Sequence, residues 1–386
     1  MRNRAVDVGR GLLVLMMVYC HVLQFYGDSM LFPMVGHIIN GVNMTVFPAF
    51  VFYFGVTAEM AYLNKPYRRA LPGMIRTCLR AYGAFVISGV GFRILREGKP
   101  FGPGTVRRVM QLADIPGWSE FLIAFALYAL LLIMLFPLFR ALSRRPLVSL
   151  MVGAVCVISC ECVPYSVVPT RLALLIGGRD YAYFPAVQYM PYLLAGMVFA
   201  RGEGSVRRRL LGLAVLCTAA GAACWAIEGR MPSRFPPDWA WIMSCALCSA
   251  LIVLAGYGLA ALENTGLRRV FRAVCDALAH LGSRSLYYLL SSNIVIFTLA
   301  GRGVVPALSV KSVVPWTLPV QAPQGAACWT AVMLFCLCFA ARLAGRGAGK
   351  RIADAAPGYT DDNGNIFSPG DVKKELTDSH GIKVSE

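Results

Sequence analysis

Long runs of apolar residues, separated by short polar and arginine-rich segments, dominate the pattern of this chain. An apolar helix needs roughly 20 residues to cross a hydrocarbon core of about 30 Å. Ten runs reach or approach this length: 10–27, 42–63, 78–95, 119–140, 147–163, 184–201, 208–228, 239–262, 284–300 and 325–344. The pattern predicts an all-α polytopic membrane protein with about ten transmembrane helices. The runs at 147–163 and 284–300 give the weakest signals.

Composition supports the same class. The chain is 57% hydrophobic and 15% charged, whereas soluble domains are about 45–50% apolar and about 25% charged. The apolar stretch at 12–27 is followed by no small-residue cleavage site, and a second run comes soon after. We therefore interpret the first run as a retained span, not as a cleaved signal peptide.

The distribution of Lys and Arg predicts the orientation of the chain. If the N-terminus is cytoplasmic, the inner segments carry 23 basic residues and the outer segments carry 11. Cytoplasmic loops are enriched in Lys and Arg, although long loops follow this rule less well. The N- and C-termini are thus both predicted to be cytoplasmic. Anionic lipid headgroups account for much of the net charge of +17, and no nucleic-acid partner is predicted.

Two regions are predicted along the chain. Residues 1–350 form the transmembrane domain, and the polar, Gly- and Pro-containing segment 351–386 forms a flexible cytoplasmic tail. Most of the 13 Cys residues fall inside apolar runs, where Cys behaves as a small apolar residue. Cys245 and Cys248 have a metal-like spacing but no nearby His, so no metal site is predicted. A disulfide from Cys160 or Cys162 remains open.

Ionisable residues inside a bilayer are candidates for function. His21 lies in the first run, and Arg10 precedes it by eleven residues. At about 100° per residue, eleven residues make three turns plus about 20°, so the two side chains share one helix face. They are separated by roughly 16 Å along the axis. The alternative is an interfacial Arg10 and a His21 that only hydrogen-bonds to a neighbouring helix.

Two further groups of residues are candidates. His37 is predicted in a short outer loop, where it meets a substrate arriving from outside or is simply solvated. A cytoplasmic cluster could bind the phosphates of a nucleotide-bearing donor, since Arg matches phosphate oxygens, or could only fix the topology. This cluster consists of Lys65, Arg68, Arg69, Arg76 and Arg80.

The first 60 residues resemble membrane-bound acyltransferases. Arg10, ten residues and then His21 match the spacing of the acyltransferase-3 family of bacterial O-acyltransferases. The Asp-x-x-Arg-Gly opening with paired Met is similar to the heparan-glucosaminide N-acetyltransferase-like family. His37 before Asn40 and Gly41, and the Phe-Pro-x-Phe-x-Phe-x-x-Gly stretch at 47–55, are also similar to that family.

Weaker resemblances cover the rest of the chain. The stretch 118–122 resembles the entry of span four, and 281–286 resembles the Gly-x-x-Ser-Leu that opens a late span. The family often continues there with a Tyr and a His, but this chain has Ser291 and Ser292 at the expected His position. The resemblance implies catalytic roles for Arg10, His21 and His37. It implies acyl-CoA binding by Arg68, Arg69, Arg76 and Arg80, and acceptor binding by Asn40, Asn43 and Glu120.

The resemblance also implies a reaction. The family moves an acyl group, usually acetyl, from cytoplasmic acetyl-CoA to a hydroxyl or amine of a glycan or glycolipid across the inner membrane, and a His acts as base or nucleophile. Membrane lipids surround such a protein, and its oligomeric state stays open. A transporter or flippase is the main alternative and should show interrupted helices with acidic residues at the midplane. A non-catalytic scaffold is the third.

Overall fold

The structure is a computed structural model that describes residues 3–178, 184–262, 268–304, 307–308, 318–355, 359–360 and 366–367. Most of the described residues are helical. They are α1 (Arg4–Tyr26), α2 (Met34–Ala58), α3 (Tyr67–Gly91), α4 (Pro103–Met110), α5 (Glu120–Met134), α6 (Phe136–Ser143), α7 (Pro146–Cys162), α8 (Thr170–Ile176), α9 (Met190–Arg201), α10 (Gly204–Glu228), α11 (Trp239–Leu262), α12 (Arg268–Ser283), α13 (Ser285–Gly301) and α14 (Pro323–Ala355).

Short elements complete the architecture. π-helical turns extend α2 over Glu59–Leu63 and α3 over Phe92–Arg96, and a 3₁₀ turn covers Tyr165–Val167. Two antiparallel pairs of two-residue strands occur, β1 (Ala307–Leu308) with β2 (Leu318–Pro319) and β3 (Tyr359–Thr360) with β4 (Ile366–Phe367). The all-α class predicted from the hydrophobic pattern is therefore confirmed.

The helices are those of a membrane protein. Among the described residues, six are long and apolar enough to cross a bilayer: Arg4–Tyr26, Met34–Leu63, Tyr67–Arg96, Gly204–Glu228, Trp239–Leu262 and Pro323–Leu343. The pair α5 and α6 passes the same test as one span, although it is bent by 91° at its break. Two shorter apolar helices are α7 and α13.

Several predicted boundaries differ from the structure. The run 184–201 contains only the 12-residue helix α9, because Pro185 and Pro191 limit helical hydrogen bonding before and at its first turn. Helix α3 begins at Tyr67 and not near 78, so Arg68, Arg69, Arg76 and Arg80 of the basic cluster are helical and only Lys65 lies in the connection before the helix. His37 is also helical, because α2 begins at Met34 directly after Pro33.

Helix α1 lies at the centre of the bundle and packs against α2, α11, α12 and α13. The contact with α12 depends on two glycines. A Cβ at Gly11 would lie 2.0 Å from the carbonyl oxygen of Leu278, and a Cβ at Gly282 would lie 1.9 Å from that of Asp7. Backbone atoms cannot move aside as flexible side chains can, so any larger residue at Gly11 or Gly282 pushes α1 and α12 apart.

The chain divides into two compact units, residues 1–331 and 332–386. The first unit contains α1 to α13, the pair β1–β2 and the first part of α14. The second contains the rest of α14 and the pair β3–β4. Most of the segment predicted as a tail, 351–386, lies outside the described residues.

Candidate functional site

His21 lies inside the bundle. Asn3 caps α1 by accepting hydrogen bonds from the backbone amides of Ala5 and Val6, at 3.0 and 3.4 Å, which fixes where the helix begins. His21 is then 17 residues beyond Arg4, or roughly 26 Å along the axis. Its side chain is only 5% exposed. A His at this depth is surrounded by protein and does not face lipid, so its hydrogen-bond partners determine what it can do.

Asn293 of α13 is the direct partner of His21. The Oδ1 atom of Asn293 lies 2.8 Å from Nδ1 of His21, and both residues are buried. The Nδ2 atom of Asn293 donates to the carbonyl oxygen of Trp118 at 3.2 Å and to Oγ of Ser88 at 3.4 Å. The Asn293 side chain thereby joins α1, α3, α13 and the segment before α5 in one buried network.

The network fixes the tautomer of His21. A carbonyl oxygen only accepts, so the atom of Asn293 that faces Trp118 must be the amide nitrogen. The atom facing His21 is then the amide oxygen, which requires a proton on Nδ1. The other ring nitrogen, Nε2, consequently carries the lone pair, and no described residue hydrogen-bonds to it. His21 is oriented to accept a proton at Nε2.

Trp118 supports the network through an unusual backbone. Its φ of 59° lies in the left-handed region, which costs a bulky residue about 1–3 kcal/mol. The indole nitrogen donates to Oε1 of Gln24 at 2.8 Å, and the ring packs 4.7 Å from Phe25 and 5.4 Å from Phe92. These contacts hold the turn that directs the Trp118 carbonyl group at Asn293.

Ser119 and Glu120 follow Trp118 at the start of α5. The Ser119 hydroxyl donates to Oγ of Ser88 at 2.9 Å, so it extends the network toward Glu120. Oε2 of Glu120 is buried and has no hydrogen-bond partner among the described residues. The structure therefore brings the predicted residues His21 and Glu120 into one region of the fold.

Arg234 is a third charged residue of this region. It lies between α10 and α11, and its charge acts on Cys20, His21 and Glu120. The guanidinium carbon lies 4.4 Å from the ring centre of Phe235 and 5.2 Å from that of Phe184. In the sequence, Arg234 is one of the 11 basic residues of the predicted outer segments. A single Arg in a connecting segment carries no pattern that would identify it as part of a buried site.

Arg10 is not part of the same cluster. Its guanidinium donates to Oγ of Ser285 at 2.7 Å, and its charge acts on Tyr53. The eleven-residue spacing leaves it roughly 16 Å from His21 along α1. The two residues share a helix face, as predicted, but Arg10 lies against α13 near the opposite end of the helix.

His37, Asn40 and Asn43, which were predicted near the outer end of the second span, differ in their distance from the His21 network. His37 and Asn40 are exposed in the first turns of α2. Asn43 is half-buried, and its Oδ1 accepts a weak hydrogen bond from the thiol of Cys20 at 3.7 Å. Since Cys20 adjoins His21, Asn43 belongs to the surroundings of the site, whereas His37 and Asn40 do not contact it.

The basic residues of α3 form a stripe. Arg69, Arg76 and Arg80 lie within about 40° of one another around the helix axis and span roughly 16 Å along it. All three are exposed, and we refer to them as the α3 stripe. Arg68, also exposed, lies about 100° away on the same helix. Arg80 precedes Ser88 by eight residues, or roughly 12 Å.

A large apolar cavity lies elsewhere in the bundle. It has a volume of about 860 Å³ and is lined by α2, α7, α9, α10 and α11. Its charged wall residues are Glu161, Arg207 and Arg208. None of the residues of the His21 network lines it. An apolar space without convergent polar groups suits hydrocarbon better than group-transfer chemistry.

None of the thirteen Cys forms a disulfide in the structure, and this includes Cys160 and Cys162. Within the part of the chain that the structure describes, no group of three His, Cys, Asp or Glu side chains is placed to hold a metal ion.

The residues that orient His21 were not predicted from the sequence. Asn293 directly follows the two serines that stand at the family's expected His position. Ser292 itself is buried and donates to the carbonyl of Leu289 at 3.1 Å. The only signal in the sequence was Asn293 itself, an uncharged polar residue in the apolar run 284–300. Such a residue indicates a buried hydrogen bond but does not identify the residue that it bonds to.

Comparisons with known proteins identify no relative. No protein-family model matches the chain, and searches of curated proteins and of solved structures found no match.

Proposed function

We propose that this chain is a membrane acyltransferase that moves an acyl group, acetyl in the simplest case, from cytoplasmic acyl-CoA to a hydroxyl or amine of an envelope glycan. In this proposal the chain spans the inner membrane about ten times, with both termini in the cytoplasm. Fusions of each connecting segment to a reporter that fluoresces only in the cytoplasm, or to an enzyme that is active only on the outer side of the inner membrane, test the location of that segment.

The orientation of His21 is the observation that carries the proposal. Its Nδ1 proton is held by Asn293, so Nε2 can take the proton of the acceptor hydroxyl or amine. The acceptor oxygen or nitrogen then attacks the thioester carbonyl carbon, and the carbon–sulfur bond breaks. The imidazolium returns the proton to the CoA thiolate. Donor and acceptor exchange one acyl group and one proton, and His21 ends neutral.

The α3 stripe is the proposed docking site for the donor. Its three guanidinium groups are exposed and can bind the phosphates of CoA. The same helix carries Ser88, which belongs to the His21 network, roughly 12 Å beyond Arg80. A donor bound by its phosphates at the stripe would therefore extend its flexible arm along α3 toward His21.

The test is transfer of labelled acetyl groups from acetyl-CoA by purified protein in nanodiscs. His21→Gln keeps an amide that can bond to Asn293 but removes the base, so we expect a loss of about 10²- to 10⁴-fold. His37→Gln is the matched control, because His37 is exposed on α2, and should retain wild-type activity. Full activity of His21→Gln, with monodisperse protein, would exclude the mechanism.

A transporter or flippase is the second candidate, because one observation favours it. The 91° break between α5 and α6 is the kind of interrupted helix that transporters use for substrate binding. This function predicts that vesicles containing the protein move a glycolipid between leaflets without acyl-CoA, and that His21→Gln leaves this movement unchanged. Transport without acyl transfer would replace the acyltransferase proposal.

A further inference from the structure

Arg234 is partly buried and has no charged partner among the residues that the structure describes. Its Nε atom is buried and makes no hydrogen bond. Among the residues that the structure describes, its side chain forms no ion pair within 4 Å. Burial lowers the pKa of Arg234, yet a guanidinium stays charged at neutral pH. Charged groups that are partly removed from water are normally paired with an opposite charge, and Arg234 has no such partner among the described residues.

The residues around Arg234 restrict the position and orientation of its guanidinium group. Asp238 accepts hydrogen bonds from the backbone amides of Ser233 and Trp241, both at 2.7 Å, which fixes the segment before α11. The rings of Phe184 and Phe235 flank the guanidinium and limit its orientations. An Arg held in this way presents its terminal nitrogens with little further loss of side-chain entropy.

The nearest acidic residue does not satisfy it. Glu120 interacts electrostatically with Arg234, but no hydrogen bond or ion pair joins them, and Oε2 of Glu120 is itself unpartnered. The guanidinium of Arg234 and the Oε2 atom of Glu120 can together bind a molecule that has both an anionic group and a hydroxyl. Phosphorylated sugars and uronic acids have both.

We propose that Arg234 is an anion-binding residue that recognises a carboxylate or phosphate group of the acceptor glycan. The inference that Arg234 binds an anion depends only on the geometry of Arg234. The inference that this anion is part of the acceptor depends on the proposed function. The acceptor is chosen over the donor because the connection between α10 and α11 is an outer segment in the proposed topology, opposite to the α3 stripe. A bidentate contact to Arg234 positions the acceptor, and its hydroxyl then lies toward Glu120 and His21.

The first experiment measures anion binding without catalysis. Purified protein in nanodiscs is heated with sodium glucuronate, with inorganic phosphate, or with glucose as the neutral control. We expect saturable thermal stabilisation by one or both anions and none by glucose. Arg234→Gln should weaken this binding on the order of 10- to 100-fold. Arg230→Gln is the matched control, because Arg230 is in the same segment but pairs with Glu228 at 2.7 Å near the surface.

The variants separate the possible outcomes. Arg234→Lys keeps the positive charge but loses the planar guanidinium group, so it should bind the anions with intermediate affinity. It replaces Arg234→Gln in the experiment if that variant does not fold. His21→Gln should bind the anions like wild type even if no acyl transfer is found, which separates the anion site from the proposed reaction. Equal stabilisation of wild type by glucose and anions, or unchanged anion binding in Arg234→Gln, would overturn the proposal.

The second experiment assigns the anion to the acceptor. Acetyl transfer is measured with matched neutral and anionic sugar acceptors. Arg234→Gln should raise the KM for the anionic acceptor by at least about tenfold, with little change for the neutral acceptor or for acetyl-CoA. A merely structural role would lower activity with both acceptors alike, and that result would contradict acceptor recognition.

Discussion

The most direct perturbation of the proposed site is to remove the group that orients His21. Asn293 is 1% exposed and makes three hydrogen bonds, to Nδ1 of His21 at 2.8 Å, to the carbonyl oxygen of Trp118 at 3.2 Å and to Oγ of Ser88 at 3.4 Å. Leucine has nearly the same size but no polar atoms. Asn293→Leu therefore leaves the Nδ1 proton of His21 and the Trp118 carbonyl without partners while keeping most of the packing.

The magnitude follows from these contacts. Leaving one buried polar group unsatisfied costs about 1–3 kcal/mol, so we expect Asn293→Leu to lower the free energy of unfolding by at least this amount. In the folded Asn293→Leu variant, the His21 imidazole can exchange tautomers and rotate, because Asn293 no longer holds its Nδ1 proton. If orientation contributes a similar 1–3 kcal/mol to the transition state, kcat falls about 5- to 150-fold. The KM for acyl-CoA should change little, because the α3 stripe is intact.

The assay is the initial rate of labelled acetyl transfer at saturating acceptor, with kcat and KM determined separately. Ser292→Ala is the matched control, since Ser292 is equally buried on α13 but only bonds to the carbonyl of Leu289. It should keep kcat within about twofold, because its net hydrogen-bond contribution is small. A folded Asn293→Leu protein with the wild-type kcat would refute the assignment of Asn293 as a positioning residue.

Other predictions concern packing, donor binding and acid stability. Gly11→Leu should prevent close packing of α1 on α12 and lower the melting temperature strongly, whereas Gly258→Leu, which enters open space, should not. Neutralising the α3 stripe with Gln should raise the KM for acetyl-CoA at least about tenfold at unchanged kcat; the exposed arginines of α4, similarly neutralised, are the control. Hydrogen bonding to Arg93 holds the pKa of Glu97 below its usual 4.5, so Glu97 stabilises the fold above this pH and loses its contribution as pH falls through the lowered pKa. Melting temperatures of Glu97→Gln should therefore be below wild type at pH 7 and converge with it by about pH 3.

The sequence predicted the helices well because bilayer length and apolarity are local properties. Each of the ten predicted runs contains helix, and the first, second, third, seventh, eighth and tenth match long apolar helices. Boundaries were less accurate. Arg69 and Arg76 lower local hydropathy, so the start of α3 at Tyr67 was missed. Backbone hydrogen bonds do not depend on side-chain polarity, and a helix can therefore continue well beyond its apolar part.

The site was only partly predictable. His21 was identifiable as an ionisable residue within a run, and Glu120 through a resemblance. Asn293 is 272 residues away from His21 in the chain, and a single sequence contains no information about which helices pack together. Arg234 was missed for the same reason, because its interactions with Phe184, His21 and Glu120 join residues that are far apart in the chain.

The separation between His21 and Asn293 also has a consequence for biosynthesis. The ribosome completes α1 long before it synthesises α13, so the nascent chain carries an imidazole whose tautomer nothing yet fixes. Its hydrogen-bonding partner reaches the bilayer only when about three quarters of the 386 residues have been translated. An interrupted translation product lacking α13 would leave the His21 side chain without its hydrogen-bonding partner, and supplying α13 as a separate polypeptide is the direct way to restore this contact.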